Sequence, residues 1–162
     1  MILIALGSNL PSHAGDPSAT LRAALAHLAG NGVTPVAVSR FYRTPAWPDP
    51  SDPMFVNAVA RVMTELSPSE LIDCLHQTET AFGRVRDTRN APRPLDLDIL
   101  DYDGRVEQGP PVLPHPRMES RAFVLIPLRN IAPDWRHPVS GKSIDELLTA
   151  IPTAERDAVK PI

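Results

Sequence analysis

An α+β fold of ferredoxin-like type, a β-α-β-β-α-β sandwich with an antiparallel sheet and extra C-terminal helices, is predicted by three observations. Short apolar runs alternate with stretches of helical period, two of those stretches open on a proline-bearing cap, and two of the runs follow each other with no helix between them. Residues 2–6 are rich in isoleucine and leucine and stop at Gly7, which predicts a buried strand. Asp16 before Pro17 supplies an N-cap and first-turn pair. Leu21, Ala24, Leu25 and Leu28 then fall on one helical face until Gly30 and Gly32 end it. Residues 33–43, with Val36, Val38 and Phe41, and residues 54–64, with Phe55, Val56, Ala58, Val59, Val62 and Met63, predict two strands able to pair. Ser67-Pro68-Ser69-Glu70 has the form of a capping box, and Leu71, Leu75, Thr78 and Phe82 follow on one face before Gly83. Residues 95–102 alternate apolar and acidic side chains, a strand signal. Residues 121–131 are apolar and helical in pattern, and Ser143-Ile144-Asp145-Glu146 repeats the capping box before a last short helix. The helices of such a sandwich are expected on one face of the sheet.

The bulk numbers narrow the function classes. A chain of 162 residues suits one domain spanning 1–162. A hydrophobic fraction of 43% and a charged fraction of 22% are those of a soluble globular protein. A net charge of −3 gives no reason to expect nucleic acid, so an anionic ligand must be held by local arginines and metal. The one cysteine, Cys74, excludes an internal disulfide and a multi-cysteine metal site. No apolar run approaches the roughly 20 residues of a membrane span, and the first residues lack the basic region of a signal peptide. A cytoplasmic, monomeric protein acting on small molecules, with no membrane partner, is expected. The composition is unusual in its 19 prolines against 8 glycines, and they group in the loops holding Pro45, Pro48, Pro50 and Pro53 and Pro110, Pro111, Pro114 and Pro116.

The chemistry concentrates in one stretch. Asp96 and Asp98 are two apart on a predicted strand, so both side chains leave the same face, roughly 6.6 Å apart at the backbone. Two carboxylates at that spacing repel by about 2.5 kcal/mol at an effective dielectric near 20. An all-oxygen pair suits Mg²⁺, which takes one or two carboxylates together with phosphate oxygens and water. Alone, such a pair is more often solvated than metal-bound. Immediately before it, however, Arg84, Arg86, Arg89 and Arg93 place four guanidinium groups within ten residues. Arginine forks bind phosphate in a bidentate way and stay charged at any working pH. Arginines beside a carboxylate pair are what a Mg-nucleoside triphosphate needs. The nearby Ser140-Gly141-Lys142-Ser143 imitates the end of a P-loop, but Arg136 occupies the position of the required first glycine. It reads instead as a turn and a helix cap.

The chain resembles the 6-hydroxymethyl-7,8-dihydropterin pyrophosphokinases over essentially its whole length. The resemblance rests on seven segments in order. They are Ala5-Leu6-Gly7-Ser8-Asn9-Leu10, Ser39-Arg40-Phe41-Tyr42-Arg43-Thr44-Pro45, Phe55-Val56-Asn57-Ala58, Phe82-Gly83-Arg84-Val85-Arg86, the stretch from Arg89 to Leu100, Leu113-Pro114-His115, and the stretch from Arg121 to Leu128. It implies an ATP-dependent diphosphokinase of folate biosynthesis that moves the β,γ-pyrophosphoryl unit of ATP to the hydroxymethyl group of the reduced pterin and releases AMP. It implies two Mg²⁺ ions held by Asp96 and Asp98. Arg84, Arg93, His115 and Arg121 would contact the triphosphate, with Glu79 on the nucleotide side, and Arg84 and Arg93 would serve catalysis together with the two aspartates. Thr44, Pro45, Phe55, Asn57 and Phe123 would form the pterin pocket. A flat heterocycle suits an aromatic face, and an amide such as Asn57 can both donate to and accept from its edge. The chain departs from the family pattern at Asn90, Ala91 and Pro116, all in loops expected to close over substrates.

Overall fold

The computed structural model describes residues 1–85 and 90–162. Strands β1 (Ile2–Ser8), β4 (Phe55–Met63) and β5 (Asp96–Tyr102) form the middle of the sheet, where β1 pairs antiparallel with both of the others. Outside β4 lie two short strands, β2 (Thr34–Val38) and β3 (Tyr42–Thr44), each antiparallel to it. A last strand, β6 (Lys160–Pro161), pairs with β3. The order β5-β1-β4-β3 is that of the split βαβ pattern, so the ferredoxin-like expectation holds. Two details differ. The single strand expected over residues 33–43 is two strands, separated by an irregular stretch at residues 39–41 in which Ser39 still exchanges hydrogen bonds with Val59 of β4. The first strand does not stop at Gly7 but runs through it to Ser8.

The alternation of side chains along β1 explains the layers. Ile2, Ile4 and Leu6 enter one apolar cluster with Leu21, Ala24 and Leu28 of α1 (Pro17–Ala29) and Leu71 and Leu75 of α2 (Pro68–Ala81). Leu3 points the other way, into a second cluster with Leu125 and Leu128 of α3 (Ala122–Ile131) and Leu147 and Leu148 of α4 (Ile144–Thr149). The two helices within the ferredoxin-like unit thus share one face, and the later helices cover the opposite one. That second layer explains why β1 is apolar almost throughout: a strand buried on both faces has no polar positions to alternate.

The caps form as the sequence requires. Asp16 accepts from the Ala19 amide, and both capping boxes are complete, Ser67 with Glu70 and Ser143 with Glu146. Ser143 is therefore a helix cap, as expected, and not part of a phosphate loop. Among the described residues, no helix is long and apolar enough to cross a membrane.

Candidate active site

The site lies on the face of the sheet that α3 covers only in part. Leu97 and Ile99 of β5 point to the α1–α2 side, so Asp96 and Asp98 emerge on the opposite one. Across the sheet, Gly7 is the register partner of both Asn57 and Asp96, and Ala5 is the partner of Val59 and Asp98. The central strand therefore presents only glycine and alanine between the carboxylates and Asn57. These small residues leave a trough. Asp96, Asp98, Asn57, His115, Arg121 and Phe123 all line it, the last two from the start of α3.

Asp96 is held by two arginines. The Arg84 guanidinium donates to its Oδ1 at 2.7 Å and Arg93 to its Oδ2 at 3.2 Å. Burial alone would raise the Asp96 pKa, but the two guanidinium charges and their hydrogen bonds outweigh it and hold the carboxyl below its ordinary value. Arg84 also donates to Glu79 Oε2 at 2.6 Å and to the Leu95 carbonyl at 3.3 Å. Glu79 was expected on the nucleotide side. It is 1% exposed, beneath Arg84, where its Oε2 also accepts from the Leu97 amide at 2.8 Å. Its carboxylate holds Arg84 and the start of β5.

Asp98 has the opposite electrostatics. Burial, with the like charges of Asp96 and Glu79 adding to it, pushes its pKa up to about 7 against the opposing pull of Arg121 and Arg84. His115 Nε2 lies 3.9 Å from Asp98 Oδ2. The Arg117 amide donates to His115 Nδ1 at 3.1 Å, which leaves the ring proton on Nε2, facing the carboxylates. Burial and the neighbouring Arg121 charge lower the His115 pKa to about 4, so the ring is a neutral donor at physiological pH. Burial also lowers the Arg121 pKa, though not enough to take its charge.

The donor set tests whether divalent cations fit. Two carboxylates share one face, one of them is destabilised as an anion, and the facing ligands are oxygen atoms and a neutral imidazole. This is a fit for Mg²⁺, which needs only one or two carboxylates when phosphate oxygens supply the rest. Among the described residues no group of three or more acidic, histidine or cysteine side chains could hold a metal ion.

The pterin-pocket candidates divide. Asn57 Nδ2 donates to Thr44 Oγ1 at 2.7 Å, both buried. Phe123 faces the trough and packs under Arg121, with 5.5 Å from its ring centre to the guanidinium carbon. Thr44, Pro45 and Phe123 also border a wider adjoining cavity. Phe55 is turned toward the arginines, its ring 5.1 Å from the Arg93 guanidinium carbon. Arg86 and Arg89 lie outside the described residues. Of the three positions that depart from the family pattern, Asn90 borders the wider cavity, in the left-handed region at φ 59°.

Two residues that matter here were missed. Asn9, 4% exposed, accepts from the Arg93 amide at 2.8 Å and donates through its own amide to the Arg93 carbonyl at 3.1 Å. Its Nδ2 donates to the Pro53 carbonyl at 3.1 Å. It ties the entry to β5 to the end of the proline-rich loop. Gly7 is the other. A β-carbon there would lie 2.8 Å from Asn57 Oδ1, so only glycine lets the Asn57 amide lie across β1. The signal for both was the Gly7-Ser8-Asn9 run directly after an apolar strand.

Known proteins resemble this chain over most of its length. The family model described as 7,8-dihydro-6-hydroxymethylpterin-pyrophosphokinase matches residues 3–133. A 2-amino-4-hydroxy-6-hydroxymethyldihydropteridine pyrophosphokinase of Methylorubrum extorquens is 42% identical over 150 residues, covering 91% of each chain. An enzyme of that name from Pseudomonas aeruginosa is 42% identical over 153 residues, 93% of this chain and 91% of its own. Among solved structures, the HPPK-DHPS protein of Plasmodium falciparum superposes with a TM-score of 0.67 at 14% identity, over 91% of this chain. This chain spans 40% of that larger one, and the likeness is one of fold.

Proposed function

The chain belongs to the 7,8-dihydro-6-hydroxymethylpterin-pyrophosphokinase family and is an ATP-dependent diphosphokinase of folate biosynthesis, and we propose that its transfer runs over Asp96 and Asp98. One observation carries the assignment: the two carboxylates share a face of β5, flanked by Arg84, Arg93 and Arg121, with the trough beside them ending at Asn57 and Phe123. In the reaction the hydroxymethyl oxygen of the pterin bonds to the β-phosphorus of ATP. The bond from that phosphorus to the oxygen bridging to the α-phosphorus breaks, its electron pair leaves with AMP, and the hydroxyl proton is released.

Asp96 and Asp98 would hold two Mg²⁺ ions, which when bound neutralise charge on the triphosphate and on the leaving AMP. Arg84, Arg93 and Arg121 contribute fixed positive charge for the phosphate oxygens, and neutral His115 offers its Nε2 proton as a further donor. Glu79 acts one step back by orienting Arg84. Thr44 fixes the Asn57 amide through its hydroxyl, and Asn57 then meets the polar edge of the pterin while Phe123 covers its face. Pro45 continues the same wall, and Phe55 supports Arg93 from the pterin side.

Gly7→Ala tests this arrangement from outside its polar groups. The new methyl must displace the Asn57 amide from Thr44, so pterin affinity is expected to fall about tenfold, the scale of one buried hydrogen bond lost. Fluorescence titration with the pterin, alongside a nucleotide titration that should change less than about twofold, measures it. Unchanged pterin affinity would remove Asn57 from the pocket.

A further inference from the structure

Just beyond the end of β1, contacts from Asn9 close a ring that joins the two sides of the site. The Asn9 amide donates to the Arg93 carbonyl at 3.1 Å, and Asn9 Oδ1 accepts from the Arg93 amide at 2.8 Å. Asn9 Nδ2 donates to the Pro53 carbonyl at 3.1 Å. Two residues further on, Phe55 opens β4 and sets its ring 5.1 Å from the Arg93 guanidinium carbon, which brings the path back to Arg93. We infer that Asn9 is a positioning residue for the transfer. It locks Arg93, on the phosphate side, to Phe55 and the end of the proline-rich loop, on the pterin side, so that each substrate strengthens the binding of the other. This rests on the roles proposed above for Arg93 and Phe55.

The ring is stiff where Asn9 makes it. Asn9 is buried, so opening one of its hydrogen bonds leaves a polar group with no water to replace the partner. The Arg93 side chain is held less completely. Its Nη2 donates to Asp96 Oδ2 at 3.2 Å and its Nη1 to the Ala91 carbonyl at 2.9 Å, while its Nε is buried with no partner among the described residues. The backbone of Arg93 is therefore what fixes the origin of that side chain, and Asn9 is what fixes the backbone. A triphosphate drawn to Arg93 acts on the ring through the guanidinium. A pterin meeting the start of β4 acts on it through Phe55. The first ligand to bind restricts both joints, and the second then loses less conformational freedom, which is positive coupling without any shared contact.

Calorimetric titration with Mg²⁺ and α,β-methylene ATP, in which carbon replaces the bridge that the transfer breaks, gives nucleotide affinity with and without saturating 6-hydroxymethyl-7,8-dihydropterin. In the wild type the pterin is expected to tighten the nucleotide by about tenfold, within the usual span of coupling between sites. Asn9→Asp keeps an acceptor for the Arg93 amide and loses the donor to Pro53, and Asn9→Ser shortens both arms without adding a charge. Each is expected to reduce the coupling to about twofold or less and kcat by about tenfold or more, with nucleotide affinity in the absence of pterin changed by less than about threefold. A lower Tm with wild-type coupling and kcat makes Asn9 structural only and overturns the inference, as does a wild type without coupling. If the Asn9 variants do not fold, Phe55→Leu opens the same ring at its other joint, and coupling retained there overturns the inference equally. Arg93→Ala separates the two levels. If it weakens nucleotide binding while the Asn9 variants keep the coupling, the phosphate role of Arg93 stands and the link does not. If it leaves nucleotide affinity unchanged, both fall.

Discussion

Asp98→Ala is expected to abolish Mg²⁺-dependent AMP formation, a loss of about a thousandfold or more, while the protein keeps its fold. The size follows from the removal of a preorganised electrostatic contact at the point where phosphate charge develops. The retained fold follows from the position. Asp98 is half-buried, and burial and two neighbouring carboxylates disfavour its charge. Its loss removes an unfavourable charge from the metal-free protein, so the Tm in chelator is expected to stay level or rise. Asp98→Asn separates charge from size: it keeps the volume and is expected to lose activity to a similar degree, because a neutral amide is a poor partner for Mg²⁺. The measurements are AMP release across a Mg²⁺ titration and thermal melts in chelator. Turnover near normal in either variant would remove Asp98 from the metal site.

Arg84→Ala is expected to cost both stability and catalysis. Its guanidinium serves Glu79, the Leu95 carbonyl and Asp96 at once, and Glu79 is buried. Removing one member of a buried charged pair costs about 3 kcal/mol, because the remaining carboxylate keeps its desolvation penalty. For a chain of this size that corresponds to a Tm lower by about 10 °C. Catalysis is expected to fall by about a hundredfold on top of this, through the lost phosphate contact and the freed Asp96. Arg84→Lys keeps one charge but not the reach and planar geometry that bring Nη1 to both carboxylates and the Leu95 carbonyl, so it should recover only part of either loss. Denaturant unfolding and ATP kinetics on the same preparations measure both. Normal stability in Arg84→Ala would contradict the buried pairing with Glu79. Normal ATP kinetics in a folded variant would contradict the phosphate role.

Much of the fold was legible because its signals are local. Asp16-Pro17 and the two capping boxes fix helix starts by short-range hydrogen bonds, and the structure forms all three. The same-face relation of Asp96 and Asp98 needed only the two-residue period of a strand. What sequence periodicity could not supply is what depends on pairing across the sheet. The apolar character of β1 allows burial on one face or both, and only the packing of α3 and α4 on Leu3 distinguishes them. The break of residues 33–43 into β2 and β3 reflects two successive pairings with β4. Likewise Gly7 looked like a strand stop because its reason, the Asn57 amide lying over it, is on another strand. Glu79 sits on a helix whose pattern suits a solvated glutamate as well, and its burial follows from the return of β5 and Arg84 above it. The site's residue types, Glu79 among them, could be read along the chain, whereas the supporting roles of Gly7 and Asn9 depend on contacts with distant segments and could not.

The proposed transfer moves the β,γ-pyrophosphoryl unit in one step. ATP labelled at the β-phosphorus, incubated with Mg²⁺, the enzyme and 6-hydroxymethyl-7,8-dihydropterin, tests it most directly. The expected result is label in the pterin diphosphate with unlabelled AMP formed in equal amount. Label in ADP or in inorganic phosphate, with no AMP, would contradict it.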